Sequence, residues 1–157
     1  MDFANKHNIP TLVDPKKRNF MEYKNATLFK PNFKELKEGL NVDLNKYETG
    51  CIFKAIEPLH KDSNMKLIMV TLSEGGIFIS DGKKHNILPA EVRDISDVSG
   101  AGDTVISLAS LCIAQKLDPI DIAAISNIAG GLVCEKAGVV PIDKEQFMIE
   151  CLEAYTD

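Results

Sequence analysis

Asp97-Val98-Ser99-Gly100-Ala101-Gly102-Asp103-Thr104 is the stretch that decides the fold of this chain and the chemistry it can perform. It follows a β-like run over residues 90–94 and opens a helix-like run that continues to Gln115. A glycine-rich turn at such a junction leaves N–H groups unpaired at a helix N-terminus, where they can hold a phosphate. Asp103 would repel that anion unless its carboxylate serves a hydroxyl group that attacks the phosphate. The turn therefore indicates phosphoryl transfer.

The spacing Gly100-x-Gly102 has one competing interpretation, the start of a dinucleotide-binding fingerprint. That fingerprint needs a third glycine where Val105 stands, and it belongs to the first βα unit rather than to a late one. We therefore reject a dinucleotide site.

Size and charge exclude several classes of protein. The chain has 157 residues, 45% of them hydrophobic, which is enough for one ordinary core. Its net charge of −5 and pI near 5.2 argue against a nucleic-acid partner. No apolar run approaches the length of a membrane span, so we expect neither a nucleic-acid nor a membrane partner.

The four cysteines are far apart in sequence and form no C-x-x-C pair, and the three histidines lack ligand spacing. Three of the cysteines fall in apolar helix-like segments. Free buried thiols are thus favoured over disulfides or a cysteine–histidine metal site. A reducing cytoplasm is the expected setting.

Strands and helices alternate in the first half, which predicts a parallel α/β sheet forming one compact unit. The expected strands cover residues 11–13, 26–30, 66–72, 76–80, 85–88 and 90–93; the expected helices cover 33–39, 44–60, 101–116, 119–136 and 144–154. Asp81-Gly82 predicts an antiparallel hairpin at one sheet edge. Helix ends are predicted by Asp118-Pro119, by Gly138, and by a capping box from Asp143 to Gln146.

The stretch from Asp97 to Asp103 resembles the C-terminal signature of the ribokinase-like (pfkB) sugar kinases. The resemblance implies an α/β fold: the C-terminal portion of a ribokinase-like parallel-sheet sandwich, with a small antiparallel hairpin at one edge. It also implies that the backbone of Gly100, Ala101 and Gly102 forms an anion hole for the transferred phosphate. Asp103 then corresponds to the catalytic base.

Lys30-Pro31-Asn32-Phe33-Lys34-Glu35 supports two compatible interpretations. Asn32 is a good N-cap and Glu35, three residues later, completes a capping box. N-x-x-E is also a signature of these kinases, where it implies that Asn32 and Glu35 organise Mg²⁺ through water. Lys30 matches a lysine that some members direct at the nucleotide phosphates. A cap residue at the carboxyl edge of a sheet is where α/β ligands bind, so both roles can coexist.

The segment from Val70 to Gly76 resembles the T-L-G-x-x-G turn that contacts the nucleotide in the family, with Ser73 in place of the usual glycine. The resemblance implies nucleotide contacts from Thr71, Ser73, Gly75 and Gly76. A Gly-Gly pair after a strand is also a common hairpin turn, so a purely structural role remains open.

Two small-residue segments late in the chain have further implied roles. Asn127, Gly130 and Gly131 lie mid-helix, where two glycines cost about 1 kcal/mol each relative to alanine. Their family role is an adenine pocket, and their structural alternative is tight helix packing. The loop at Gly138, with Asp97 and Ser99, corresponds to the family's site for a monovalent cation such as K⁺.

Residues 13–32 resemble most the kinase module of bacterial ADP-heptose synthesis, which phosphorylates D-glycero-D-manno-heptose 7-phosphate with ATP and Mg²⁺. Asp14, at the end of its strand, is a candidate contributor or a turn cap. We expect residues 1–157 to be the C-terminal nucleotide-binding half of the kinase domain, inactive alone. The missing N-terminal half and a sugar phosphate are the expected partners, and a homodimer is a further expectation. The alternatives are another sugar kinase of the family or a nucleotide-binding fragment without activity.

Overall fold

In the computed structural model, which describes residues 1–156, the chain divides between Pro89 and Ala90 into two units. The expectation of one compact unit is therefore wrong. The boundary follows strand β5 (His85–Leu88), after which residues 89–98 adopt neither helix nor strand. A connection without regular hydrogen-bonded structure separates the sheet from the helices that follow it.

The first unit contains a five-stranded mixed sheet in the order β1-β2-β3-β4-β5. Its first four strands are β1 (Leu12–Val13), β2 (Leu28–Phe29), β3 (Leu67–Thr71) and β4 (Ile77–Ser80). Strands β1, β2 and β3 are parallel, whereas β4 and β5 are antiparallel to their neighbours. This confirms the parallel α/β sheet with an antiparallel hairpin at its edge. The carboxyl ends of the three parallel strands consequently share one edge of the sheet.

The first-unit helices are α1 (Asp2–Lys6), α2 (Phe33–Leu40), α3 (Thr49–Ala55) and α4 (Glu57–Lys61), with short 3-10 turns at Lys17–Asn19 and Ser73–Gly75. The single helix predicted over residues 44–60 is wrong. Its start is delayed because Asn45 accepts hydrogen bonds from the N–H groups of Tyr47 and Glu48 in a turn. Its middle is broken because Pro58 cannot donate to the preceding turn.

The core of the first unit explains one glycine. Phe20 and Phe29 are buried and meet edge to face, with ring centroids 5.0 Å apart. A Cβ on Gly39, in α2, would lie 2.2 Å from the Phe20 ring. Gly39 therefore lets helix α2 lie against that ring.

The second unit contains α5 (Ala101–Ala114), α6 (Pro119–Cys134) and α7 (Lys144–Ala154). Their buried apolar side chains include Val105, Ala109, Ile122, Ile128, Leu132 and Val133. Cys112 and Cys134 are buried, whereas Cys51 of the first unit is exposed. None of the helices in residues 1–156 is both long and apolar enough to cross a bilayer.

The β-like runs expected at residues 90–93 and 90–94 are wrong. In the described part of the chain this segment pairs with no strand of the sheet. The N–H groups of Ser96 and Asp97 instead donate to the carbonyl of Cys134, at 2.8 and 3.1 Å. The segment thus covers the C-terminal end of α6, whose last carbonyls need donors.

Two of the predicted helix ends need correction. Helix α6 begins after Asp118 as expected but ends at Cys134, so Gly138 lies in the loop beyond its cap. Asp143 accepts from the N–H group of Gln146 at 3.0 Å, but the Gln146 side chain donates to Glu150. Half of the predicted capping box therefore forms.

Candidate functional site

Charged side chains lie at the carboxyl edge of the parallel strands in the first unit. Asp14 follows β1 and Lys30 follows β2. The Lys30 Nζ atom is 3.2 Å from Asp14 Oδ1, and the Lys30 side chain is only 3% exposed. A buried ammonium group is stable only with such a partner. The structure thus gives Asp14 a definite function, to hold Lys30.

The capping box predicted at the start of α2 is present. Asn32 Oδ1 accepts from the N–H group of Glu35 at 2.8 Å, and Glu35 Oε2 accepts from the N–H group of Asn32 at 2.9 Å. The other carboxylate oxygen, Glu35 Oε1, is 3.3 Å from the Nζ atom of Lys16. The structural interpretation of these two residues is therefore confirmed, and their part in organising Mg²⁺ stays a prediction.

Thr71 lies beside the capping box. Its N–H group donates to the carbonyl of Pro31 at 3.3 Å, and Thr71 pairs with Asn32 in a single parallel bridge. The structure thereby brings together Lys30, Asn32, Glu35 and Thr71, four of the residues predicted to contact nucleotide or metal.

The turn after β3 places Ser73 in a conformation that suits glycine better than serine. Ser73 has a φ of 54°, in the left-handed region that non-glycine residues seldom adopt. Gly76, at the end of the same turn, has a φ of 82°. The turn therefore keeps its shape at Ser73 with a conformational cost that glycine would avoid.

The Gly100–Gly102 turn in the second unit has the expected geometry. Gly100 precedes α5 with a φ of 81°, and no side chain among residues 1–156 caps this helix. The N–H group of Ala101 donates to the carbonyl of Val98 at 3.3 Å. Gly102 and Asp103 occupy the first turn, where N–H groups have no intrahelical acceptor, and both are exposed. This helix end can accept an anion beside the Asp103 carboxylate.

Asp97 fixes the turn against a second loop. Its Oδ1 atom accepts from the N–H group of Ser99 at 2.9 Å, and its Oδ2 atom accepts from that of Gly138 at 3.1 Å. These backbone hydrogen bonds lower the pKa of the Asp97 carboxyl. A Cβ on Gly100 would lie 3.1 Å from Val139 Cγ1. The residues expected to hold a monovalent cation are thus neighbours, although both Asp97 oxygens are already engaged by backbone donors.

The glycines of α6 serve tight packing. A Cβ on Gly130 would lie 2.8 Å from Val105 Cγ2, and one on Gly131 would lie 2.7 Å from Arg93 Nε. Without a side chain at Gly130, helix α5 can pack closely against α6, and without one at Gly131 the Arg93 side chain has room beside the helix. The packing alternative is therefore confirmed, and an adenine contact from Asn127, Gly130 and Gly131 stays a prediction.

The structure gives roles to two residues that the sequence motifs do not single out, Arg93 and Lys16. The Arg93 guanidinium pairs with Glu91, Glu135 and Glu150, and its side chain is 8% exposed. These ion pairs, above all the one with Glu150, raise the pKa of the Arg93 guanidinium above its ordinary value. A signal for Lys16 was available: Asp-Pro-Lys directly follows a strand predicted to be parallel, which places the lysine at the ligand-binding edge.

Comparisons with known proteins agree with this geometry. The pfkB family carbohydrate kinase profile matches residues 1–145. The chain is 40% identical over 130 residues to bifunctional protein HldE of Campylobacter curvus, covering 83% of this chain and 27% of that protein. It is 39% identical over 136 residues to HldE of Magnetococcus marinus, covering 86% of this chain and 28% of the relative. The chain thus spans less than a third of these curated relatives.

Solved structures show the same fold. Phosphofructokinase-2 from Escherichia coli, determined in complex with potassium, superimposes with a TM-score of 0.85 at 20% identity, over 98% of this chain and 50% of that one. Ribokinase from Thermotoga maritima gives a TM-score of 0.75 at 17% identity, over 97% and 52%. These likenesses establish a ribokinase-like α/β architecture. With the family profile covering most of its length, the chain belongs to the pfkB family of carbohydrate kinases.

Proposed function

We propose that this chain is the C-terminal, nucleotide-binding half of a kinase that phosphorylates a sugar phosphate. The favoured acceptor is the anomeric hydroxyl of D-glycero-D-manno-heptose 7-phosphate. The observation that carries the proposal is that α5 starts directly after the left-handed Gly100, has no side-chain cap within residues 1–156, and carries Asp103 in its first turn. Similarity to HldE proteins and the amino-acid sequence of residues 13–32 favour the heptose over other sugars.

The residues of the chain have distinct tasks in this proposal. ATP supplies the phosphoryl group that is transferred. Asp103 accepts the proton of the attacking hydroxyl group as a general base. The N–H groups of the Gly100–Gly102 turn donate to the phosphate oxygens and offset their growing charge. Lys30 balances phosphate charge, and Asn32 with Glu35 orients the metal through water.

The donor groups fit a magnesium nucleotide. Glu35 Oε1 lies 3.3 Å from the exposed ammonium of Lys16, which a hydrated cation can replace. In the described residues no three His, Cys, Asp or Glu side chains form a metal cluster. A bound Mg²⁺ would therefore take most of its ligands from phosphate and water, as this ion commonly does. Phosphofructokinase-2 from Escherichia coli was determined in complex with potassium, and a monovalent cation held by Asp97, Ser99 and the Gly138 loop is the corresponding proposal for this chain.

The acceptor sugar depends on a further half of the kinase domain. The chain covers about half of each similar kinase structure. We infer that an N-terminal half supplies most sugar contacts, since positioning the acceptor can contribute roughly 7–11 kcal/mol to the barrier reduction.

The test compares nucleotide binding with sugar-dependent ADP release. Calorimetry should detect weak Mg·ATP binding by the chain, and coupled ADP release with heptose 7-phosphate should be negligible until the N-terminal half is supplied. Heptose-dependent turnover by the chain alone would contradict the division of labour. Turnover with another sugar phosphate, but not with the heptose, would retain the assignment as a kinase and change the identity of the acceptor sugar.

A further inference from the structure

Lys16 presents an exposed ammonium group at the ligand-binding edge of the sheet. Its Nζ atom is 3.3 Å from Glu35 Oε1 and 3.5 Å from Asp14 Oδ2. Its side chain is nevertheless 73% exposed. An exposed lysine gains little from ion pairs of this kind, so reorientation toward another anion costs little.

Lys30, the other ammonium at Asp14, is placed very differently. It is almost entirely buried and is held by Asp14 Oδ1 at 3.2 Å. Withdrawing it from Asp14 would leave the buried Lys30 ammonium without its counter-charge, which is expensive. Of the two lysines, Lys16 is thus the one able to follow a ligand, whereas Lys30 is anchored.

The four charges at this edge balance one another: Lys16 and Lys30 against Asp14 and Glu35. A divalent cation at Glu35 would repel the Lys16 ammonium and take over its role there. The cation would arrive with phosphate groups, whose oxygens offer the displaced ammonium a new partner.

We propose that Lys16 is a phosphate-contacting residue of the nucleotide site, exchanging Glu35 for phosphate oxygens when a magnesium nucleotide binds. The inference rests on the proposed function and adds a residue to the same site. Lysine suits this role because its ammonium is a compact charge on a flexible stem that can follow the phosphate. Lys30, by contrast, contributes its charge from a fixed position beside Asp14.

The adjacent lysine provides a matched control. Lys17 is 70% exposed and lies 3.4 Å from Glu38, so it has the same charge and exposure but a different partner. The affinity of Mg·ATP is measured by calorimetry on the full chain for wild type, Lys16→Gln and Lys17→Gln. Adenosine, which lacks phosphate, is followed by ligand-observed NMR. Thermal unfolding of each variant monitors the fold.

Lys16→Gln should weaken Mg·ATP about 10-fold or more, the equivalent of one charged hydrogen bond, and leave adenosine unchanged. Lys17→Gln should stay within about twofold of wild type, because its partner lies elsewhere. Equal Mg·ATP affinity for Lys16→Gln and Lys17→Gln, or an equal loss for adenosine, would overturn the role of Lys16 while leaving the nucleotide site intact. No nucleotide binding by the wild-type chain would overturn the proposed function and this inference together.

The exchange itself is tested by combining Lys16→Gln with Glu35→Gln. Because Lys16 and Glu35 interact before binding and separate after it, their effects on Mg·ATP affinity should be non-additive. Strict additivity would overturn the exchange.

Discussion

Gly131 should be intolerant of even one added methyl group, because Arg93 occupies the space above it. An alanine Cβ would lie 2.7 Å from Arg93 Nε and 3.0 Å from its Cδ. The guanidinium cannot move freely, since it is paired with Glu135 at 2.9 Å and with Glu91 and Glu150. Gly131→Ala must therefore strain the helix or break charged hydrogen bonds.

The size of the effect follows from two opposing contributions. Losing one charged hydrogen bond costs about 1.5–3 kcal/mol, and alanine returns about 1 kcal/mol of helix propensity. We expect Gly131→Ala to lower the free energy of unfolding by about 0.5–2 kcal/mol, measured by urea denaturation with circular dichroism. Gly50→Ala in α3 is the matched control: nothing lies within 4 Å of its Cβ position, so it should be neutral or stabilising.

A double-mutant cycle isolates the contact. In an Arg93→Ala background the obstacle is gone, and Gly131→Ala should become neutral or stabilising. The packing argument would be refuted if the Gly131→Ala variant were as stable as wild type. It would also be refuted if Gly131→Ala were equally destabilising with and without Arg93. If stability falls as predicted and nucleotide affinity is unchanged at temperatures where the variant is folded, the adenine-pocket role of Gly131 is also refuted.

Three further predictions concern the candidate site. With the N-terminal half supplied, Asp103→Asn should lower turnover by about 10²–10⁴-fold with little change in ATP affinity, because it removes the proton acceptor and keeps the size. Glu35→Gln retains the capping box, so unfolding should be unchanged, while turnover should recover as Mg²⁺ is raised; a wild-type Mg²⁺ profile would leave Glu35 as a cap alone. The pKa of the Asp97 carboxyl is lowered in the folded protein, so its contribution to stability is present above about pH 4 and is lost as the pH falls through the folded pKa. Asp97→Asn should therefore flatten the acid side of the stability profile, measured by thermal unfolding from pH 2.5 to 7.

The amino-acid sequence by itself determined the features that depend on neighbours a few residues apart. The Gly100 turn, the Asn32–Glu35 capping box and the Asp81-Gly82 hairpin were all predicted, because a cap or a left-handed glycine acts within one turn of chain. The same local rules failed in residues 44–60, where one helix was predicted. Pro58 was a visible local signal there for a break between two helices.

Only the tertiary structure decided the contacts between distant positions. Arg93 meets Glu135 and Glu150, which are 42 and 57 residues away, and the position of its side chain explains the glycine at 131. Asp14 meets Lys30 because two parallel strands end at one edge of the sheet. Charge and shape complementarity between remote segments has no periodic signature in sequence, since it is created when the chain folds and brings them together.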